Sequence, residues 1–247
     1  MNRFLIFGGT TEGRLLAEYC DENKISCTVS VATEYGAELL PKSEFVNAEI
    51  GRKERNEIAA LILSGGFDAV FDATHPYAAE VGKNISEACI DTNTPYYRVV
   101  REPFPICEEA LYFDTAAETA DFAEKSSGTF FIATGSKELP LFCRNGLPER
   151  CVVRVLPDDN IIRECEKSGF MRIISGKGPF GFEENVLHFK GCGYVITKES
   201  GAAGGFEEKR RAALSVGAKL IIIKRPDEKG MSIVEAEKLL LKLSGKE

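Results

Sequence analysis

Short apolar runs, each ending in a loop rich in Gly, Ser or Thr and followed by apolar residues at helical spacing, recur along the whole 247-residue chain. That alternation reads strand, loop, helix, strand, and strands joined through helices lie parallel. The first run is Phe4–Phe7. It is followed by Gly8-Gly9-Thr10-Thr11-Glu12-Gly13 and by Leu15, Leu16 and Tyr19 at helical spacing. Further strands are predicted at Cys27–Val31, Phe45–Asn47, Ala69–Phe71 and Pro95–Val99, with helices around Asn56–Ser64 and up to Ile90. The result is a parallel sheet with helices on both faces.

Arg101-Glu102-Pro103-Phe104-Pro105 interrupts the pattern, because two prolines break both a helix and a central strand. A second series follows, with strands at Phe130–Ala133, Val152–Val155, Arg172–Ile174, Tyr194–Ile196 and Leu220–Ile223, a helix up to Gly217 and a last one near Ser232–Leu243. The expectation is two doubly wound α/β domains, residues 1–102 and 103–247.

Composition removes several function classes. The eight cysteines form no C-x-x-C pair and the only histidines are His75 and His188, so neither a structural metal nor a disulfide framework is expected, only buried free thiols. Residues 1–102 carry 10 Lys/Arg against 16 Asp/Glu and the rest 21 against 22, which gives neither half the basic field of a nucleic-acid binder. No apolar run reaches the ~18 residues of a membrane span. The first residues enter a strand at once, leaving no room for a signal peptide, so a cytoplasmic location is expected.

Ligands of open α/β sheets bind beyond the carboxyl ends of the strands. The first such loop, Gly8-Gly9-x-x-x-Gly13, occupies the position of a dinucleotide fingerprint, although its spacing departs from G-x-G-x-x-G. There glycines admit a pyrophosphate to the backbone and the helix N-terminus supplies N–H groups. A tight turn without a ligand is the plain alternative. The second strand ends Ser30-Val31-Ala32-Thr33, with Glu34 only later. The missing carboxylate favours NADPH over NADH, though no arginine stands there to bind a 2′-phosphate.

Asp72-Ala73-Thr74-His75-Pro76-Tyr77-Ala78 follows the fourth strand. Pro76 suits a first helical position, with Asp72 or Thr74 as cap, and His75 and Tyr77 are candidate site residues. In the second half Ser136-Lys137, Gly176-Lys177-Gly178 and Lys198-Glu199-Ser200-Gly201 each place a lysine ahead of a predicted helix. Three ammonium groups on one sheet edge suit a ligand with several carboxylates or phosphates. Arg98 and Arg101 are placed to reach the same cleft, and His188 reads as structural.

Taken in order, Gly8–Arg14, Asp72–Ala78, Gly135-Ser136-Lys137-Glu138-Leu139, Gly178-Pro179-Phe180 with Glu183 and Asn185, Thr197–Gly201 with Gly204-Gly205, and Arg225-Pro226 resemble the precorrin-6A/cobalt-precorrin-6A reductase family. Gly181 and Glu199 depart from its usual residues. The resemblance implies two Rossmann-like domains, an interdomain cleft, and hydride transfer from NADPH to a C=C bond of a tetrapyrrole in cobalamin biosynthesis. It implies that Gly8, Gly9, Thr10, Thr11 and Glu12 hold the nucleotide and that Thr74, His75 and Tyr77 line the nicotinamide. Ser136, Lys137, Lys177, Lys198, Ser200 and Gly201 would hold substrate carboxylates, with the nucleotide phosphates as the alternative ligand of the Lys198–Gly201 loop. The proton donor stays open among His75, Tyr77, Lys198 and solvent, as does the presence of cobalt. A monomer or weak homo-oligomer is expected, with no nucleic acid and no membrane as partner. A non-catalytic nucleotide-binding regulator and an S-adenosylmethionine-dependent methyltransferase are the alternatives, separated by tetrapyrrole-dependent NADPH oxidation and by ligand preference.

Overall fold

The computed structural model describes residues 3–100, 106–199, 205–225 and 228–246. In chain order they form β1 (Arg3–Phe7), α1 (Thr11–Glu22), β2 (Ser26–Val31), α2 (Glu34–Glu38), β3 (Val46–Ile50), α3 (Arg55–Gly65), β4 (Ala69–Asp72), α4 (Ala79–Asp91) and β5 (Tyr96–Arg98). Next come β6 (Leu111–Phe113), α5 (Ala116–Lys125), β7 (Phe130–Ala133), β8 (Cys151–Val155), α6 (Asp159–Lys167) and β9 (Arg172–Ser175). The chain ends with α7 (Phe182–Phe189), β10 (Tyr194–Lys198), α8 (Phe206–Ser215), β11 (Lys219–Ile223) and α9 (Ile233–Ser244). Among the described residues no helix is long and apolar enough to cross a membrane. The cysteines are free, and all but Cys143 are buried.

The first compact unit is Met1–Glu102 with Asp227–Glu247. Its strands are parallel in the order β3-β2-β1-β4-β5. In β1 the two-residue period sends Phe4 and Ile6 to one face and Leu5 and Phe7 to the other, and all four are buried. Phe4 and Ile6 meet Leu16, Ala17 and Cys20 of α1 and Ala236 and Leu240 of α9. Leu5 and Phe7 meet Ile58 and Ile62 of α3 and Ile85 and Ala88 of α4.

The expected assignment of residues 227–247 to the second domain is therefore corrected. After residue 227 the chain returns to the first unit: Met231 N donates to Arg98 O and Val100 N to Met231 O, both at 2.9 Å, and α9 fills the sheet face beside α1. An amphipathic helix does not carry in its own sequence which sheet will cover its apolar stripe.

The second unit is Pro103–Pro226. Its six strands are parallel in the order β6-β11-β10-β7-β8-β9. Phe131, Val195, Leu220 and Ile222 pack with Phe189 of α7 and Phe206, Ala212 and Ala213 of α8. The edge strand β6 was not foreseen, since three half-buried residues give too short a periodic signal. A helix was expected after Lys137. The chain instead makes a 3₁₀ turn over Ser136–Phe142 that contains Pro140, whose missing N–H and fixed φ oppose an α-helix there.

Candidate active site

Strand order reverses between β1 and β4 in the first sheet, so the loops after these strands flank its switch point. Gly8 N donates to Ser30 O at 2.9 Å, and Gly9 turns the chain at φ +91° with open space where a side chain would stand. Thr10 caps α1, its Oγ1 accepting from Gly13 N at 3.2 Å. The same hydroxyl donates to Ala73 O at 2.7 Å and ties the β1 loop to the β4 loop. A Cβ on Gly13 would lie 2.6 Å from Gly8 Cα, so helix and strand approach as closely as backbone allows. Gly9 makes the turn and leaves open space beside it, and Gly13 lets the helix pack against Gly8, an arrangement that suits a pyrophosphate despite its altered spacing. Thr11 opens α1 and Glu12 lies in its first turn.

Asp72 ends β4 fully buried. Its Oδ1 accepts from Thr74 N at 3.0 Å, Thr74 Oγ1 at 2.7 Å and Arg98 Nη1 at 2.9 Å, and its Oδ2 from Tyr96 Oη at 2.9 Å. Burial, with the Asp72 charge, pushes the Tyr96 phenol well above its usual range. Arg98 also donates to both oxygens of Glu228 at 3.0 Å. The expected roles of Asp72 and Thr74 as helix caps are thus corrected. Helix α4 starts only at Ala79, after a turn closed by Ala78 N donating to His75 O at 2.8 Å, and has no side-chain cap. Pro76 precedes it rather than opening it. Arg98 is held by these partners within the first unit; Arg101 lies outside the described residues. His75 is exposed and Tyr77 half-buried. Tyr77 N donates to His75 Nδ1 at 3.3 Å, which leaves the proton of a neutral imidazole on Nε2.

In the second sheet the order reverses between β7 and β10. A cavity of about 380 Å³ opens at the carboxyl ends of the strands, lined by Ser136, Lys137, Lys198, Glu138 and Arg154 among others. Gly176 and Gly178 line it but the exposed Lys177 between them does not, so the structure brings two of the three expected lysines together. Lys198 pairs with Glu138. Ser200 and Gly201 lie outside the described residues. The expected structural role of His188 agrees with its ring, which lies parallel to Phe131 at 6.4 Å, and burial holds its pKa below the usual value. Sequence reasoning missed Glu138 and Arg154 as pocket residues. The available signal was an arginine inside the otherwise apolar run Cys151-Val152-Val153-Arg154-Val155, every residue of which is buried.

Two parallel α/β units, the first with a glycine turn and close-packed helix at its switch point, define a Rossmann-like α/β protein. The match of residues 3–243 to the model of precorrin-6x reductase CbiJ/CobK narrows this, and the chain belongs to that family of reductases of cobalamin biosynthesis. It is 33% identical over 235 residues to cobalt-precorrin-6A reductase of Priestia megaterium, with 90% of each chain covered. It is 26% identical over 245 residues to precorrin-6A reductase of Mycobacterium tuberculosis, with 92% of this chain and 90% of that one covered. A solved structure, CobK precorrin-6A reductase, is similar at a TM-score of 0.75 and 25% identity, covering 99% of this chain and 98% of the other.

Proposed function

We propose that this chain reduces a carbon–carbon double bond of precorrin-6A or its cobalt form with NADPH. The observation that carries the reading is the Gly8–Gly13 turn, a dinucleotide cradle in a chain of a reductase family. When bound, NADPH supplies hydride to one carbon of the bond and leaves as NADP⁺, while the other carbon takes a proton. Gly8, Gly9, Thr10, Thr11 and Glu12 hold the nucleotide through the backbone, and Thr74, fixed by Asp72 and Arg98, borders it. Tyr77 Oη, Lys198 Nζ and His75 in its imidazolium form are the acid groups of these loops able to release the proton. Ser136, Lys137 and Lys198 engage substrate carboxylates.

Preference for the 2′-phosphate has a support that local sequence hid. Gly51 N donates to Val31 O at 2.9 Å, so the exposed Arg52 follows at the carboxyl end of β2, where the adenosine ribose of such folds lies. Lys53 beside it is paired with Glu49 at 3.2 Å.

NADPH oxidation followed with precorrin-6A and cobalt-precorrin-6A separately, with NADH as control, tests the reading. Turnover of either macrocycle with NADPH is expected. Arg52→Ala should raise KM for NADPH on the order of 10-fold while leaving KM for NADH alone. Tight NADPH binding with no turnover of either macrocycle would overturn the assignment.

A further inference from the structure

We propose that Arg154 and Thr134 form the buried wall of a subsite that takes one carboxylate group of the ligand in the second unit's cavity. The inference rests on the reading that this cavity holds a polycarboxylate substrate, and adds two residues that sequence reasoning did not single out. Both line the cavity, and both are more than nine-tenths buried, Arg154 being 8% exposed and Thr134 7%.

Each carries hydrogen-bonding capacity that the described residues do not use. Thr134 Oγ1 is buried with no partner among the described residues, a condition that costs stability unless something else supplies the bond. The Arg154 guanidinium donates once, from Nη1 to Asn185 Oδ1 at 2.7 Å, and its other N–H groups have no acceptor among the described residues. No carboxylate there lies within ion-pairing distance of it, in contrast to Lys198 with Glu138.

The arginine is also held still. Its guanidinium lies 4.1 Å from the Phe180 ring centre, 5.3 Å from Phe131 and 5.9 Å from Phe189. Asn185 is itself fixed by donating from Nδ2 to Phe180 O at 3.0 Å and Gly181 O at 2.8 Å. Gly176 and Gly178 leave room for Phe180, since a Cβ on Gly176 would come within 2.8 Å of that ring. Aromatic faces occupy the flat sides of a guanidinium and leave its edge for a planar anion. A cation so fixed needs no rearrangement to receive a carboxylate, and Thr134 adds a hydroxyl donor. Burial lowers the Arg154 pKa only to about 10, so it stays charged at neutral pH.

The test uses Arg154→Lys, which keeps charge but loses the fork, and Thr134→Val, which keeps shape but loses the hydroxyl. Affinity for cobalt-precorrin-6A is read by absorbance titration, affinity for NADPH by fluorescence, and the Arg154 Nε–H resonance by NMR as citrate is added to the wild-type protein. Each variant is expected to weaken macrocycle binding about 10-fold or more with NADPH affinity unchanged, and citrate to shift the Arg154 resonance. Wild-type turnover with both variants binding the macrocycle as the wild type does would overturn the subsite and leave the function standing. A citrate shift lost in Thr134→Val, in a protein that neither binds nor reduces the macrocycle, would support the subsite and overturn the function. An unshifted Arg154 resonance together with unchanged variants sinks the subsite; should Arg154→Lys fail to fold, Thr134→Val decides.

Discussion

Gly9 and Gly13 serve the same loop by different physics, and substitution separates them. At Gly9 a side chain meets nothing, but φ +91° is strained for any L-residue. Gly9→Ala should therefore cost about 1–2 kcal/mol, with loss of NADPH binding. At Gly13 the backbone is ordinary helix, yet a Cβ would strike Gly8 Cα at 2.6 Å and push α1 off the sheet. Gly13→Ala should cost about 1–3 kcal/mol and also lose the nucleotide. Chemical denaturation with NADPH titration checks both; a Gly13→Ala protein as stable as wild type with intact affinity would contradict the packing argument. The glycines were legible because their roles are local. Asp72 was misread as a helix cap because its partners Tyr96 and Arg98 come from β5, 24 and 26 residues on. Arg52 was missed for the same reason: it reaches the end of β2 only through the register of β3, Val31 lying beside Ile50.

Among the elements, long buried strands announced themselves and edges did not. Phe130–Ala133 appears as read from the sequence, whereas β6 and the five-residue α2 carry too few residues for a period to show. The element most misplaced is α9, whose helical pattern was plain but whose destination depended on a gap beside α1. Leu240 is fully buried there, whereas Leu187 on α7 is 72% exposed. Leu240→Ala should lower stability by about 2–5 kcal/mol and Leu187→Ala by little. Removing residues 227–247 should uncover Leu16, Ala17 and Cys20 and abolish NADPH binding while the fold of the second unit persists. The readouts are a urea titration and dye binding to exposed apolar surface. Equal effects of the two leucine substitutions would place α9 somewhere other than on the first sheet.

For the molecule as a whole, net charge −7 makes a general loss of stability the ordinary expectation as pH rises and self-repulsion grows. One buried cation in the second unit acts in the opposite direction. Burial, with the neighbouring Arg154 charge, pushes the Lys209 amine down to about 8 from 10.5, against the opposing pull of Glu208. Between those values the unfolded chain holds a proton that the folded chain has released, so this contribution to stability rises with pH; below about 8 the full cost of burying the charge is present. Arg154, at about 10, keeps its proton through pH 9 and adds little to the slope there. Thiols reverse the trend higher up. Burial raises Cys151 from 9.0 to about 12, so above pH 9 the unfolded chain is the form that has lost a proton, and stability falls. The window in which Lys209 can be seen is therefore pH 7 to 9. Relative to Lys209→Met, which cannot titrate, the wild-type protein should gain ~1 kcal/mol across that window, starting as the less stable of the two. Urea midpoints of both proteins at intervals of pH measure the difference. Parallel curves would mean that Lys209 is charged and compensated in the folded state, and the desolvated cation beside Arg154 would have to be given up.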